Sequence, residues 1–513
     1  MEKDKPGTLT YEQVEKTKKY SVVDGSAYNV MYGFGEQYVV PYAIRLGASN
    51  PEISILASFP YFVGSLSQVF GAKLTDSFRN RKKLVVWFAF LQAISLVPLF
   101  IVPLLTKSIM LLTLIFSLYL VFANLGAPSW NSLMGDVVKA DERAKYFSKR
   151  NRATIVSLLI SILLAGAVLN YFDKVNVWIG FAILFNIAVI GRLVSFIFLL
   201  KHYEPAYVIN PEQSLSFREF LKTLPHSNFG NFSLFRGLFS VAIMIAAPFF
   251  SVYMLKNLHF TYIEFTAVIL APMIARVFTL NYWGRYSERF GHRNIMYVSI
   301  FLICLIPLSW FLAAYFFSHK AFIFPLLFIA EFISGFGWGG FELSSFNYML
   351  ETSAPEKRAK SFAYFNVFWG VGVLIGGLAS TFLVSNLPSI VLGINVLLFL
   401  FALSFITRFI VAIIFAPKIK EVNVNKRCGD GELFFEMVIS KPLDVAVHKT
   451  YGLLNLAGHG IGIIGGGPAK KTIEVLKEPF EPLIDNVTYY LDGMSVKVET
   501  EKTRKKSERK HKK

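Results

Sequence analysis

Long apolar runs separated by short polar segments dominate the sequence from about residue 22 to residue 416. An α-helix rises about 1.5 Å per residue, so about 20 apolar residues cross the hydrocarbon core of a bilayer. The pattern predicts an all-α integral membrane protein. Its twelve predicted spans are residues 22–45, 52–73, 84–105, 109–134, 152–171, 177–200, 230–255, 262–283, 294–316, 321–349, 361–384 and 388–416.

The composition agrees with this pattern. Of 513 residues, 54% are hydrophobic and only 17% are charged, values typical of neither soluble nor disordered chains. The chain has two cysteines, Cys304 in the ninth predicted span and Cys428 beyond the last one. They cannot pair in this topology, and we expect no metal and no cofactor.

Basic residues mark the ends of the predicted spans. If the lysine-rich N-terminus is cytoplasmic, the inner connections as far as the eleventh span hold 25 lysines and arginines, against five in the outer connections. This bias is what the positive-inside rule predicts, and it puts both termini in the cytoplasm. The net charge of +18 therefore reflects topology rather than nucleic-acid binding.

Two segments of the first half of the chain return in the second half. "GAKLTDSFRNRKK" after the second span matches "GRYSERFGHRN" after the eighth at a shift of 212 residues, and "MGDVVKADERAKYFSKRN" after the fourth matches "MLETSAPEKRAKSFAYFN" after the tenth at a shift of 215. Nearly equal shifts indicate two six-span halves. The superposed ionisable pairs are Asp76 with Glu288, Arg81 with Arg293, Asp136 with Glu351, and Arg143 with Arg358.

The first pair of segments resembles the signature loop of the major facilitator superfamily, roughly Gly-x-Leu-x-Asp-Arg-x-Gly-Arg-Arg between the second and third helices. The first copy keeps Leu74, Asp76 and Arg81 but departs at Ala72, Ser77 and Arg79. The second copy, "GRYSERFGHR", keeps both glycines and has Glu288 in place of the aspartate. The resemblance covers about residues 20–416 and implies two six-helix bundles around a central cavity.

The resemblance also implies a gate. In that family, the loop acid contacts the start of the eleventh helix, and a loop arginine pairs with an acid at the end of the fourth. The alternative interpretation is that these charges only set the topology. The gating candidates carried over are Asp76, Arg81, Asp136, Arg143, Glu288, Arg293, Glu351 and Arg358.

The resembled family builds its cavity from the first, fourth, seventh and tenth helices. An acid far from both membrane faces, such as Glu36, is a functional candidate because burying a charge in a bilayer is costly. Glu331 and Glu342 are eleven residues apart, so we expect them to share one helix face. Packing or lipid contact is the alternative for the aromatic candidates. The cavity or coupling candidates are Tyr28, Tyr32, Glu36, Gln37, Asn124, Trp130, Asn131, Arg276, Glu331, Trp338 and Glu342.

The predicted organisation has four parts: an N-terminal half at 1–200, a cytoplasmic linker at 201–229, a C-terminal half at 230–416 and a cytoplasmic extension at 417–513. The linker contains a short amphipathic helix in "SLSFREFLKTL". The extension should hold a strand at 432–439, a helix near 442–456 and a disordered basic end, "TRKKSERKHKK". "GHGIGIIGGGP" has the spacing of a dinucleotide fingerprint, but the absence of a clear preceding strand favours a glycine-rich turn.

These observations predict a secondary transporter of a small solute that works by alternating access, with Glu36 or Glu342 as candidates for coupling to protons. The alternatives are a uniporter or efflux carrier for amphipathic compounds, and a receptor that signals through the extension. An enzyme is disfavoured by the lack of a recognisable nucleophile or metal constellation in the spans. We expect a monomeric, multi-pass protein of the cell membrane.

Overall fold

The computed structural model describes residues 9–139, 142–206, 217–224, 227–317, 319–353 and 358–422. The predicted strand and helix of the extension lie outside these residues. The described helices are α1 (Tyr11–Phe34), α2 (Val39–Arg45), α3 (Asn50–Phe78), α4 (Arg81–Thr106), α5 (Ile109–Val137), α6 (Arg143–Phe172), α7 (Val177–Leu200), α8 (Phe217–Thr223), α9 (Asn228–Met244), α10 (Phe249–Val252), α11 (Tyr262–Phe290), α12 (His292–Phe316), α13 (Lys320–Thr352), α14 (Arg358–Asn386) and α15 (Val396–Phe415).

The membrane-spanning character of the chain is confirmed. Within the described residues, eleven helical segments are long and apolar enough to cross a membrane. They correspond to the second to twelfth predicted spans. The first predicted span is formed by α1 and α2, and it is interrupted by a 3-10 turn at Glu36–Tyr38.

The interruption between α1 and α2 has a local cause. Gly33 and Gly35 weaken the helix, and Pro41 has no N–H to donate to the carbonyl of residue 37. The backbone therefore tightens into the 3-10 turn before α2 begins. The turn places Glu36 at the break, where its carboxylate can reach neighbouring helices.

Helix starts are fixed by side chains that satisfy free backbone N–H groups. Capping boxes pair Thr10 with Gln13 at α1, Ser49 with Glu52 at α3, and Thr261 with Glu264 at α11. These polar residues end the connections and set where each apolar run enters its helix.

The start of the twelfth predicted span differs from the prediction. Ile390–Val391 (β1) and Ile394–Asn395 (β2) pair antiparallel, and α15 begins only at Val396. Leu392 and Gly393 form the two-residue turn with φ of 51° and 81°. Two consecutive positive φ angles are typical of a type I′ hairpin turn, so the apolar run breaks here although its composition suits a helix.

Within the described residues, the second half is a bundle of six of these spans, and the first half is a bundle of the other five with the α1–α2 segment. In the first half, α1 packs on α6 and α7, and α5 packs on α3 and α4; in the second, α13 packs on α11 and α12, and α9 packs on α14 and α15. The halves meet along two seams, α3 against α14 and α6 against α11. We call the end of the bundle where α3 ends and α4 begins the basic side.

The hydrophobic core differs between the two ends of the bundle. Towards the end away from the basic side, one cluster unites both halves, from Met31 and Phe181 in the first half to Phe265 and Phe401 in the second. Towards the basic side, a cluster around Met134 belongs to the first half, and a cluster around Phe232 is drawn almost entirely from the second half.

Small polar residues form the α3–α14 seam. The Ser54 hydroxyl donates to the Gly377 carbonyl at 2.9 Å and lies 2.5 Å from the Ser380 hydroxyl. Further along, the Asn366 amide donates to Gln68 Oε1 at 2.8 Å. Short side chains let the two backbones approach closely, and the hydroxyls satisfy one another in the absence of water.

We expect Gly377→Ala to loosen the α3–α14 seam. A Cβ at this position would lie 2.2 Å from the Cβ of Ser58, so one helix must move, and overpacking of this kind costs about 1–3 kcal/mol. Thermal or denaturant unfolding of the detergent-solubilised chain measures the effect. Ser58→Gly should restore stability in the double variant.

Gly135→Ala is the matched control, because a Cβ there meets nothing within 4 Å. If Gly377→Ala and Gly135→Ala changed stability alike, or if Ser58→Gly gave no rescue, the close approach of the two helices would be contradicted.

Candidate functional site

A cavity of about 300 Å³ lies within the first half of the protein. Its walls come from α1, α4, α5, α6 and α7. Three predicted cavity residues, Tyr28, Trp130 and Asn131, line it. The family resemblance implies a cavity between the halves for these residues, whereas the structure brings them together inside one half.

Charged side chains complete the wall of this cavity. Asp24 is buried and accepts a hydrogen bond from the Ser195 hydroxyl at 2.6 Å, and Ser195 accepts one from Arg192 Nη1 at 2.7 Å. Arg150 donates from Nε to the hydroxyl and the carbonyl oxygen of Ser21, both at 3.1 Å. The cavity is therefore polar at the α1–α6–α7 junction and mainly apolar elsewhere.

Aromatic rings hold the two arginines of the cavity. The guanidinium carbon of Arg150 lies 4.4 Å from the ring centroid of Trp130, and that of Arg192 lies 5.1 Å from the ring of Tyr28. Both distances suit cation–π attraction, which is strongest where water is excluded. The rings thus fix the guanidinium planes along the cavity wall.

Glu36 lies in a second polar group, at the break between α1 and α2. Its two carboxylate oxygens accept hydrogen bonds from the Tyr61 hydroxyl at 3.0 Å and the Tyr119 hydroxyl at 3.1 Å. These tyrosines come from α3 and α5, and the Tyr61 ring also contacts Trp369 of α14. The carboxylate is therefore held by neutral phenols close to the seam between the halves.

Other predicted candidates of the first half have separate surroundings. Asn124 donates to the Leu120 carbonyl of its own helix and faces Gly64 of α3, so it packs between α3 and α5. Tyr32 is half-buried against the core that unites the halves, and Gln37 is half-buried in the 3-10 turn.

The two acids of α13 do not form one site. Glu342 pairs with Arg276 of α11 at 3.0 Å, and both side chains are partly open to water, at 51% and 37% exposure. Glu331 instead accepts a hydrogen bond from the Trp310 indole of α12 at 2.8 Å. Their shared direction on the helix was predicted, but α13 lies between α11 and α12 and each acid binds a different neighbour.

Trp338 stacks against an arginine. The guanidinium carbon of Arg236 lies 5.7 Å from the Trp338 ring and 5.2 Å from the Phe341 ring. The repeat superposes Arg236 on Asp24, but the two do not pair, since Asp24 binds Ser195 of its own half. Arg408 is also buried rather than extended to the membrane surface, and it donates to the Ile303 carbonyl and the Ser404 hydroxyl.

Two gating candidates of the first half, Arg81 and Asp136, pair with each other. This fully buried guanidinium pairs with Asp136 at 2.5 Å and with Glu204 at 3.3 Å. Asp76 is exposed in the last turn of α3, and Arg143 donates to the Gly135 and Val138 carbonyls at the end of α5. The contacts of Arg81 tie α4, α5 and the segment after α7 together.

His202 lies beside this cluster, just after α7. Burial, together with the positive charges of Lys82 and Arg150, lowers the pKa of its imidazole to about 4. The ring therefore stays neutral at physiological pH and adds no positive charge next to Arg81.

The second half repeats the contact between the arginine at the start of a helix and a distant glutamate, but the partner of its second acid, Glu351, is different. The backbone N–H of Arg293 donates to Glu421 at 2.9 Å, as that of Arg81 donates to Glu204 at 2.8 Å. Glu351 pairs with His292 at 3.3 Å, not with the arginine that the repeat predicts. Glu288 lies in the last turn of α11 and Arg358 begins α14.

The departure of Arg79 from the family pattern has a structural cost. Arg79 ends α3 with φ of 52°, in the left-handed region, and the superposed Gly291 has φ of 90°. The second copy thus has glycine where the backbone needs it, whereas the first holds a side chain there at a cost of about 1 kcal/mol.

Several residues of these groups were missed from the sequence: Tyr61, Tyr119, Arg150 and Glu204. A usable signal existed for one of them. Glu204 follows the sixth span and Glu421 follows the twelfth, 217 residues later, close to the shifts of the repeat. For the tyrosines the sequence offers only polar atoms within apolar runs.

Comparison with known proteins gives one family. A family model described as Major Facilitator Superfamily matches residues 26–341 and 232–442. A curated protein of Aspergillus terreus (strain NIH 2624 / FGSC A1156), described as an MFS-type transporter, is 26% identical over 126 residues. That match spans 24% of this chain and 21% of the fungal protein, about a fifth of its length.

Solved structures share the fold at low identity. A mutant of the nucleoside transporter NupG matches with a TM-score of 0.61 at 14% identity, covering 79% of this chain and 100% of that one. A POT family transporter in complex with a thioalcohol-conjugated peptide scores 0.59 at 14% identity, with 80% and 97% covered. A bacterial homologue of the iron transporter ferroportin, in an inward-facing state, scores 0.58 at 13%, with 81% and 100% covered.

We expect Arg81→Lys to destabilise the first half. Lysine cannot reach Asp136, Glu204 and the Pro205 carbonyl together, so buried charge loses its partners at a cost of at least about 2 kcal/mol. Denaturant unfolding in detergent measures the loss.

The control is Arg45→Lys, which changes the Arg45–Asp173 pair, with 45% and 39% exposure. Exposed pairs contribute little, so stability should change by less than about 1 kcal/mol. Equal effects of the two variants would contradict the role of Arg81 as the centre of the cluster.

Proposed function

Because this chain belongs to the Major Facilitator Superfamily of membrane transporters, we propose that it is a secondary transporter that moves a small solute by alternating access. In this mechanism the two halves rock about a central pathway and open it to one side at a time. We assign the basic side to the cytoplasm of a cell, because lysines and arginines crowd the connections there.

The observation that carries the proposal is the unequal packing of the halves. Away from the basic side, one hydrophobic cluster contains side chains of both halves; at the basic side, the clusters around Met134 and Phe232 are separate. The partly exposed Arg276–Glu342 pair fits this arrangement. We interpret it as the state of the transporter that is closed on one side and open towards the basic side.

Polar contacts support closure away from the basic side. Lys256 donates to the Ala48 carbonyl across the halves at 2.6 Å. The buried Tyr38 hydroxyl lies 2.9 Å from the Thr266 hydroxyl and donates to the Ile162 carbonyl at 3.0 Å. Opening on that side requires the Lys256–Ala48 and Tyr38–Thr266 contacts to break, while contacts within one half, such as Tyr38 with Ile162, are kept.

We propose Glu36 as the proton-coupling group. It sits at a helix break within the bundle, bound by Tyr61 and Tyr119, and it lies close to the α3–α14 seam. Glu342 is a weaker candidate, because Arg276 already compensates its charge. A carboxylate whose partners are neutral hydroxyls can gain and lose a proton without breaking an ion pair.

Proteoliposome uptake tests transport and coupling together. A panel of metabolites and drugs is offered with and without an inward proton gradient, and vesicle contents are identified by mass spectrometry. We expect gradient-driven accumulation of at least one solute, and we expect Glu36→Gln to abolish accumulation while leaving solute exchange intact.

Glu52→Gln is the matched control, since Glu52 is exposed at the start of α3 and glutamine also serves in a capping box. Gradient-driven accumulation of solute by the Glu36→Gln variant would contradict the coupling role of this residue. Solute movement that is indifferent to the gradient would instead indicate a uniporter, and no movement of any solute would favour the receptor alternative.

Cross-linking tests the rocking of the halves. In a chain in which Cys304 and Cys428 are replaced by alanine, Ala48→Cys with Lys256→Cys is joined by a short bifunctional thiosulfonate. Because the link spans the two halves, uptake should stop and should return after reduction.

The control link joins Arg45→Cys to Asp173→Cys, on the same side but within the first half. Uptake should continue there, because the halves remain free to move. Full uptake through chains joined at 48 and 256 would contradict alternating access.

A further inference from the structure

The cavity of the first half is lined by residues of that half alone and lies apart from the two seams between the halves. Its volume of about 300 Å³ is at the lower end of the range of small-molecule pockets. The apolar wall consists mainly of Val85, Phe88, Ala89, Phe122, Ala123 and Leu199. The polar wall holds Asp24, Arg150 and Arg192, with the amides of Asn29 and Asn131.

The charge balance of this wall is positive. Arg150 and Arg192 bring two positive charges and Asp24 brings one negative charge, and both arginines act electrostatically on Asp24. In surroundings of low dielectric constant, one uncompensated guanidinium attracts an anion strongly.

Arg192 has hydrogen-bonding capacity that the protein leaves unused. Its side chain is more than nine-tenths buried, with 8% of the residue exposed. Nη1 donates to Ser195, but within the described part of the chain Nε has no hydrogen-bond partner. A buried donor without a partner is costly, and because Arg192 lines the cavity, a rotation of its guanidinium would offer this nitrogen to an acceptor on a ligand.

The rings complete the recognition surface. Trp130 and Tyr28 hold the two guanidinium groups, and Phe88 and Phe122 face the same cavity. A ligand with a flat apolar body can therefore lie between the rings while its charged end meets the arginines.

We propose that this cavity binds an organic anion, with a carboxylate or phosphate group at Arg192 and Arg150 and an apolar or aromatic body between the rings. An organic anion would then be the substrate class of the proposed transporter. Only the step from binding to transport rests on the proposed function. Binding itself is tested without transport.

Four probes that each contain one benzene ring separate the effect of ligand charge on binding from the effect of ligand shape. Isothermal titration of the purified full-length chain in detergent uses benzoate, phenyl phosphate, benzyl alcohol and benzylamine. We expect saturable binding of at least one anion, about tenfold or more tighter than the neutral and cationic probes. Benzoate against phenyl phosphate then distinguishes a carboxylate from a phosphate ligand.

Two variants give effects of opposite sign. Arg192→Gln should weaken binding of the anion about tenfold or more, because it removes the donor with free capacity. Asp24→Asn keeps the shape of the wall and removes the competing negative charge, so it should tighten binding several-fold. Arg45→Gln, at the exposed pair with Asp173, is the matched control and should change nothing.

Three results would overturn the proposal. They are the absence of saturable binding of both anions, tighter binding of benzylamine than of the anions, and anion binding unaffected by both cavity variants. If Arg192→Gln does not fold, Asp24→Asn still tests the proposal, because removing the negative charge should tighten binding of the anion. Uptake assays distinguish the two proposals. If the chain binds benzoate through Arg192 but moves no solute, the proposed anion site stands and the proposed transport function fails.

Discussion

A charged or polar side chain inside the hydrocarbon layer has no water to bind, so its partners must come from the protein. This constraint explains where the ionisable groups of the chain lie. Asp24 reaches Arg192 through Ser195, Arg408 binds a backbone carbonyl, and Glu36 binds two phenols. Most of these contacts lie within one half. Each half therefore contains its own polar network, surrounded by apolar side chains, and is suited to move as a unit.

The fold was largely predictable because a bilayer allows few structures. Apolar runs of sufficient length become helices, and the repeat of two segments indicated two related halves. The contact between Arg81 and Asp136 was predictable as well, since a resemblance to the superfamily supplied it. Glu204 was missed, because an acid that follows a span looks like any surface charge until it is compared with Glu421 at the corresponding position of the repeat.

The remaining differences arise from tertiary packing. The helical period gives the direction of Glu331 and Glu342 from the helix axis, but not whether α11 or α12 receives each carboxylate. The same limit hid the first-half cavity: Tyr28, Trp130 and Asn131 were recognised as polar or aromatic groups in spans, while the arginines that share their cavity come from α6 and α7. Before α15, positive φ angles at Leu392 and Gly393 form a hairpin turn, so the apolar run does not continue as a helix there.

Where two helices of separate halves touch, the α3–α14 seam contains hydroxyls, amides and bare backbone beside the ring contact of Tyr61 with Trp369. Large interlocked side chains would have to withdraw before one helix slid past the other, and each withdrawal would leave a void. Serine hydroxyls can exchange one carbonyl for the next after a short displacement, so little packing is lost on the way. The seam is therefore suited to sliding of α3 along α14, because a short displacement would exchange hydrogen bonds without opening a void.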